Sequence, residues 1–252
     1  RHLDAMTQRY GDTVAINLVD ESGVEGPICE AFRSTIACAY RGCLGSLVPD
    51  EWGDSDTPGL SVRYIGFDFH SECGSMASKK GSVSLSRFLS TLEPHMERHG
   101  LFFQPAPAHA EEVVNSTQKG VFRVNCIDCL DRTNVFESAA SLHAFLQQLA
   151  TLGLIGEDEL AASVFSLRNG YRIPCHRIER EFKHMWANMG DRVSVQYAGT
   201  GALKGDFTRS GKRTIQGVLA DGLSSVKRAV QNNFADVYRQ QVLDCMHGVP
   251  QQ

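Results

Sequence analysis

The chain has 252 residues, 42% hydrophobic and 21% charged, which is ample for a sizeable core and too apolar for a disordered chain. Its net charge is −4 and its isoelectric point about 6.1, so no global basic field attracts nucleic acid or membrane, and an anionic ligand must be met by a local patch. No apolar run is long enough to span a bilayer and Arg1-His2-Leu3-Asp4 opens no secretory signal; a chain that starts without Met reads as a fragment.

Leu3, Met6 and Tyr10 predict a short helix, and Val14-Ala15-Ile16-Asn17-Leu18-Val19 a fully buried strand. The stretch 45–60, with Pro49, Gly53, Pro58 and Gly59, reads as a mobile loop. Ser61 to His70 alternates enough for a second strand ending at His70-Ser71-Glu72. A helix is expected from Leu85 to His99, stopped by Gly100, and a surface helix or turn over 108–118. Gly120-Val121-Phe122-Arg123-Val124 then predicts a buried strand. Val135, Phe136, Ala139, Ala140, Leu142, Phe145, Leu146 and Leu149 recur at helical spacing up to Gly153. Further helices are expected over 157–167, 178–189, 214–230 and 233–245. Strands followed by helices argue an α/β fold, taken here as a central mixed sheet flanked by helices.

Between the third strand and its helix lies Cys126-Ile127-Asp128-Cys129-Leu130-Asp131-Arg132-Thr133-Asn134, in which a Cys and an Arg enclose five residues. A loop of this length at a helix start can turn backbone N–H groups toward an anion. A free thiol titrates near 8.5; a helix N-terminus and an adjacent guanidinium lower it, which would make Cys126 a thiolate able to attack phosphorus. Arg132 would grip two non-bridging oxygens through its planar fork. Thr133 would hydrogen-bond the thiolate or assist hydrolysis of a phosphocysteine. Asp131 and Asp128 are the nearest proton donors for the leaving alcohol; the similar placement of an Asp just before the Arg in myotubularin-like lipid phosphatases favours Asp131.

Other patterns are weighed beside this one. Between Lys204 and Arg213, four cations (Lys204, Arg209, Lys212, Arg213) face one anion, Asp206, in a Gly-rich stretch suited to phosphate groups. The stretch fails the nucleotide P-loop test, because five residues rather than four separate Gly205 from Gly211-Lys212 and no Ser or Thr follows the Lys. Eight cysteines without a secretory signal read as reduced thiols. Cys126-x-x-Cys129 also permits a redox dithiol, or half a zinc site completed by Cys73 with His70 or Cys43; the redox reading does not need Arg132 or the two Asp residues, and the zinc reading lacks a second Cys-x-x-Cys or paired His. His70 is assigned a structural hydrogen bond in preference to catalysis, and Lys79-Lys80 a surface role.

The segment Arg123-Val124-Asn125-Cys126-Ile127-Asp128-Cys129-Leu130-Asp131-Arg132-Thr133-Asn134 resembles the signature loop of the Sac family of phosphoinositide phosphatases, with Val124 in place of the usual Thr. Asp68-Phe69-His70-Ser71-Glu72-Cys73 is similar to a second block of that family. Gln196 to Lys204, with Asp206-Phe207-Thr208-Arg209 and Gly211 to Thr214, is similar to a third, and Asn232-Asn233-Phe234 with Arg239-Gln240 resembles its closing helix. The resemblance covers nearly the whole chain. It implies that residues 1–252 are the catalytic portion of a Sac domain, with an N-terminal subdomain absent. It also implies metal-independent hydrolysis of an inositol-lipid phosphomonoester, with phosphatidylinositol 4-phosphate the first candidate, and no cofactor. Cys126, Arg132, Asp131, Asp128 and Thr133 would form the catalytic set. Asn134, Lys204, Arg209, Lys212 and Arg213 would bind the phosphoinositide headgroup. An anionic membrane surface on the cytosolic side would be the other partner, with the anchor outside these residues; no nucleic acid is expected and protein partners stay open. A phosphoinositide-binding module with little activity is the alternative.

Overall fold

The computed structural model describes residues 2–40, 62–74, 79–103, 116–168 and 176–203, with isolated positions from 237 onward. The chain divides into two compact units, Arg1–His176 and Arg177–Gln252.

The first unit is built on three strands, β1 (Asp12–Asn17), β2 (Val62–Gly66) and β3 (Gly120–Asn125), in the order β2-β1-β3. Both pairings are parallel, in registers that set Asn17 beside Gly66 on one side and Asn125 on the other. Among the described residues the sheet is therefore parallel rather than mixed. The connections explain this, because each neighbouring strand is reached through a helical crossover instead of a hairpin. Helix α1 (His2–Tyr10) precedes β1, and α2 (Gly26–Ala39) joins β1 to β2. The five-residue α3 (Phe69–Cys73) and the long α4 (Lys79–His99) lie between β2 and β3, and α5 (Asp131–Thr151) and α6 (Glu157–Arg168) follow β3.

Strand β1 is central, and Val14, Ala15 and Ile16 are wholly buried, as a strand covered on both faces requires. One face carries Ala15, Val62 and Tyr64 against Ile36 and Phe32 of α2. Alternate residues turn to the other face, where Phe122 meets His99 of α4. Phe88 of α4 stacks on Phe67 at a centroid distance of 4.2 Å and meets Phe136 of α5 at 5.8 Å. Gly120 permits the packing at the amino end of β3: a Cβ there would fall 2.1 Å from the His99 ring and 2.7 Å from the Asp12 carbonyl.

Two local expectations change. The second strand stops at Gly66, and His70-Ser71-Glu72-Cys73 belongs to α3, because the Asp68 side chain caps that turn by accepting from the Ser71 N–H at 2.8 Å. Helix α2 has no counterpart in the sequence reading, although Pro27 sits in its first turn where helices favour it. Gly100 and Gly153 end α4 and α5 with positive φ, as read from the sequence.

The second unit contains α7 (His176–Ala198), nine residues longer at its carboxyl end than the helix expected over 178–189. Glu179 and Lys183 pair along it, and Asp191 accepts from the Ala202 N–H just past its end at 3.0 Å. The loop expected over 45–60 and the helices over 214–230 and 233–245 fall outside the described residues, as does most of 108–118.

Candidate active site

The carboxyl ends of the three strands converge. Leu18 N–H donates to the Asn125 carbonyl at 2.8 Å and Phe67 N–H to the Asn17 carbonyl at 2.9 Å, extending the sheet by one rung. Asn125 Nδ2 donates to Asn17 Oδ1 at 2.6 Å, and Asn17 Nδ2 to the Tyr64 hydroxyl at 3.1 Å, locking the three ends together. Cys126 follows β3 directly at this edge, where ligands bind in parallel sheets.

Cys126 to Leu130 forms the connection, and α5 begins at Asp131. The backbone turns sharply at Cys129, which has a φ of +54°. That is a left-handed conformation seldom adopted outside glycine and Asn, and functional loops are where such residues collect. Cys126 is 6% exposed, and Cys129 lies at the surface. Asp128 holds the turn: its Oδ1 accepts from the Cys126 thiol at 3.4 Å and from the Leu130 N–H at 3.1 Å. One of the loop amides expected to face an anion is thus occupied by Asp128. Thr133 and Asn134 occupy the first turn of α5. The Thr133 hydroxyl oxygen and Asn134 Oδ1 are buried and make no ordinary hydrogen bond among the described residues, yet the Thr133 hydroxyl lies near enough to the Cys126 sulfur to favour its thiolate.

Arg132 reaches back across the sheet end. Its Nη1 donates to the Leu18 carbonyl at 3.3 Å, to Asp20 Oδ1 at 3.0 Å and to Glu25 Oε2 at 2.9 Å, and its Nη2 to Glu25 Oε1 at 2.7 Å. Against the burial that disfavours a cation, the Glu25 bonds and the neighbouring acidic groups hold Arg132 charged. The bond from Arg132 in turn holds the Glu25 carboxyl below its ordinary range. Asp20 also receives the His70 ring, whose Nδ1 lies 2.7 Å from Oδ2.

This arrangement alters one expectation. The Cys126 thiol is pushed up, by its hydrogen bond with Cys129 first and by burial second, while the same bond draws Cys129 down. The Cys126 thiol is thus raised at rest, with Asp128 next to it. Glu137, one turn past Thr133 on α5, is raised by burial first.

The structure brings Cys126, Asp128, Asp131, Arg132, Thr133 and Asn134 together at one sheet edge. Lys204, Arg209, Lys212 and Arg213 lie outside the described residues. Glu25, Asp20 and Glu137 were missed by the sequence reading, and His70 was given only a structural role. The one available signal was position, since Asp20 to Glu25 follows directly on a buried strand of a parallel sheet.

A second polar cluster lies at the opposite, amino end of the strands. Asp12, His95 and His99 bring ligand atoms within 4.8 Å of one another, with His99 Nε2 3.4 Å from Asp12 Oδ2. The Arg63 guanidinium interacts with the same Asp12 and opposes charge on His95, so the cluster balances its own charges as a buried ion-pair group. Burial pushes His95 down to about 4. The unfolded chain takes up a proton near 6.5, so the folded state keeps its full stability above that pH and loses it as pH falls toward 4. The expected loss from this group is about 3 kcal/mol. Urea unfolding of the chain and of His95→Met at pH 7 and pH 4.5 checks this: the substitution should shrink the acid-induced drop.

The SacI homology domain model matches residues 1–74. The phosphatidylinositol-3-phosphatase SAC1 of Drosophila melanogaster is 39% identical over 250 residues, covering 98% of this chain and 36% of the fly protein. The phosphoinositide phosphatase SAC7 of Arabidopsis thaliana is 35% identical over 248 residues, covering 98% of this chain and 35% of the plant protein. The human phosphatidylinositide phosphatase SAC2 is 35% identical over 250 residues, covering 99% of this chain and 18% of the human protein. The chain thus spans about a third of the plant and fly relatives and less of the human one. With the Cys126–Arg132 segment seated between a parallel strand and its helix, the chain is similar over nearly its whole length to Sac-domain phosphoinositide phosphatases.

Proposed function

We propose that residues 1–252 form the catalytic portion of a phosphatase that removes a phosphomonoester from the inositol ring of a phosphatidylinositol phosphate through a phosphocysteine. The observation that carries this is the position of Cys126 at the start of the β3–α5 connection and of Arg132 in the first turn of α5, at the carboxyl edge of a parallel sheet. In the proposed reaction the Cys126 thiol gives its proton to Asp128, and the sulfur attacks phosphorus while the bond to the inositol oxygen breaks. Arg132 and the amino end of α5 stabilise the charge on the non-bridging oxygens. Asp131 protonates the departing alkoxide. Water then cleaves the S–P bond, its proton returning to Asp131, Asp128 gives its proton back to the released Cys126 sulfur, and inorganic phosphate leaves. No step calls on a metal or cofactor.

Ring position is read from analogy alone. The family resemblance favours the 4-phosphate, whereas the fly relative is named for the 3-phosphate. No described helix is long and apolar enough to cross a membrane. Contact with an anionic, cytosolic membrane surface therefore belongs to the proposal, with Asn134 and the cations Lys204, Arg209, Lys212 and Arg213 meeting the headgroup. Phosphate release from the full set of short-chain phosphoinositides, with and without chelator, tests the reading. Release from at least one isomer, unchanged by chelator, is expected, and release from none would overturn it.

The acid has its own test. Asp131, in the first turn of α5 directly before Arg132, is the proposed donor to the leaving group. Asp131→Asn should depress hydrolysis of an inositol phosphate, whose alkoxide leaves poorly. It should spare an aryl phosphate, whose phenol leaves without protonation. Equal losses on both substrates would return Asp131 to a structural role.

A further inference from the structure

Arg132 carries five N–H donors in a fixed plane. Three acceptors crowd its Nη1, and Glu25 spans Nη1 and Nη2 with both carboxylate oxygens. No hydrogen bond among the described residues uses its Nε–H or second Nη2–H. Those two donors lie on the same edge of the guanidinium, the edge not facing Glu25, and form a second fork matched to two phosphoryl oxygens. The group is held from behind, and its other two donors are unengaged among the described residues. The rear holders are themselves fixed. Glu25 Oε2 accepts from the Asp20 N–H at 3.1 Å, and Asp20 is tied to His70 of α3. Asp68, which caps α3, accepts from the Glu21 N–H at 3.1 Å. Both carboxylates belong to the short segment between β1 and α2, more than 100 residues before the loop they serve.

We propose that Glu25 is the positioning residue of the phosphate site, with Asp20 as its second arm: it fixes the Arg132 plane so that the Nε/Nη2 edge meets the substrate phosphoryl group. The inference rests on the phosphatase reading above. Glu25 touches no reacting atom and acts only through Arg132. Removing its charge would by simple electrostatics strengthen binding of an anion, whereas loss of orientation weakens it, so the two roles differ in sign.

The test pairs turnover with equilibrium binding. Glu25→Gln keeps the side-chain shape and deletes one of the two carboxylate acceptors. It should lower kcat on the active phosphoinositide by about tenfold to a hundredfold, the scale of a misplaced catalytic group. KM should change less and the thermal midpoint little, and Glu25→Asp, which keeps the charge, should recover part of the loss. Binding of tungstate is then measured by calorimetry in the Cys126→Ser chain, with Arg132 or Ala at position 132. Glu25→Gln should weaken tungstate only where Arg132 is present. Equal weakening in both backgrounds would make Glu25 merely structural and overturn the inference. So would unchanged or faster turnover, which would mark Glu25 as a competitor of phosphate for Arg132, or tungstate affinity indifferent to Arg132→Ala. Should Glu25→Gln fail to fold, the same comparison is made with Glu25→Asp. A chain that releases phosphate from no phosphoinositide yet shows the Arg132-dependent tungstate effect would overturn the functional reading and leave the clamp standing.

Discussion

Cys126→Ser is expected to abolish phosphate release while largely preserving substrate binding. A serine hydroxyl is protonated at neutral pH and is a far weaker nucleophile toward phosphorus than sulfur. The expected loss is about 10⁴-fold or more, on the scale of removing a covalent nucleophile. The site gives the substitution little other effect, since Asp128 Oδ1 can accept from the new hydroxyl and keep the Leu130 N–H. Cys129→Ser should retain substantial activity, because Cys129 lies at the surface and its backbone turn is unchanged by the swap. Cys129 hydrogen-bonds the Cys126 carbonyl and its thiol is drawn down by Cys126, so it is the partner that would trap an oxidised Cys126 as a disulfide. Peroxide inactivation should therefore be reversed by dithiol in the parent chain and poorly reversed in Cys129→Ser. Single-turnover phosphate release from the two Ser variants decides the assignment: an active Cys126→Ser chain beside an inert Cys129→Ser chain would reverse it.

Arg132→Lys is expected to be nearly as damaging as Arg132→Ala, with a loss of about a hundredfold or more in kcat/KM, the scale for one missing transition-state donor. An ammonium offers three donors from one atom. It cannot take Glu25 with two parallel bonds on one edge and a phosphoryl group with two more on another. The two variants should nonetheless part in stability. Alanine leaves Asp20 and Glu25, both largely buried, facing each other without a cation, whereas lysine retains the charge between them. Steady-state assays alongside thermal unfolding check this. Near-normal turnover in the Lys variant would sink the bidentate clamp.

The sequence by itself determined the local frame of the site. The run Gly120 to Val124 before Cys126 is a strand, as read, although past Gly120 it is only half-buried. Phe136, Leu142, Leu146 and Leu149 fall on one helical face and are all buried in α5. Gly153 ends that helix because the turn needs a positive φ. Each of these signals is carried by neighbours in sequence, which is why it could be read there. Helix α2 escaped because the side chains that define its inner face, Phe32 and Ile36, gain meaning only against Tyr64 and Val62 of a strand far along the chain.

Tertiary structure alone decided what Arg132 holds and the direction in which the Cys126 thiol is shifted. Strand register sets Asn17 beside Asn125, and this brings the segment after β1, with Asp20 and Glu25, against the start of α5. Nothing in the Cys126–Asn134 motif encodes those carboxylates. The motif alone pictured a guanidinium lowering the Cys126 thiol. In the fold the guanidinium is spent on Glu25 and Asp20, and the bond with Cys129 together with burial raises that thiol instead. Protonation depends on burial and on charges a few ångströms away in space, and both are set by the register of a parallel sheet, which no nine-residue motif contains.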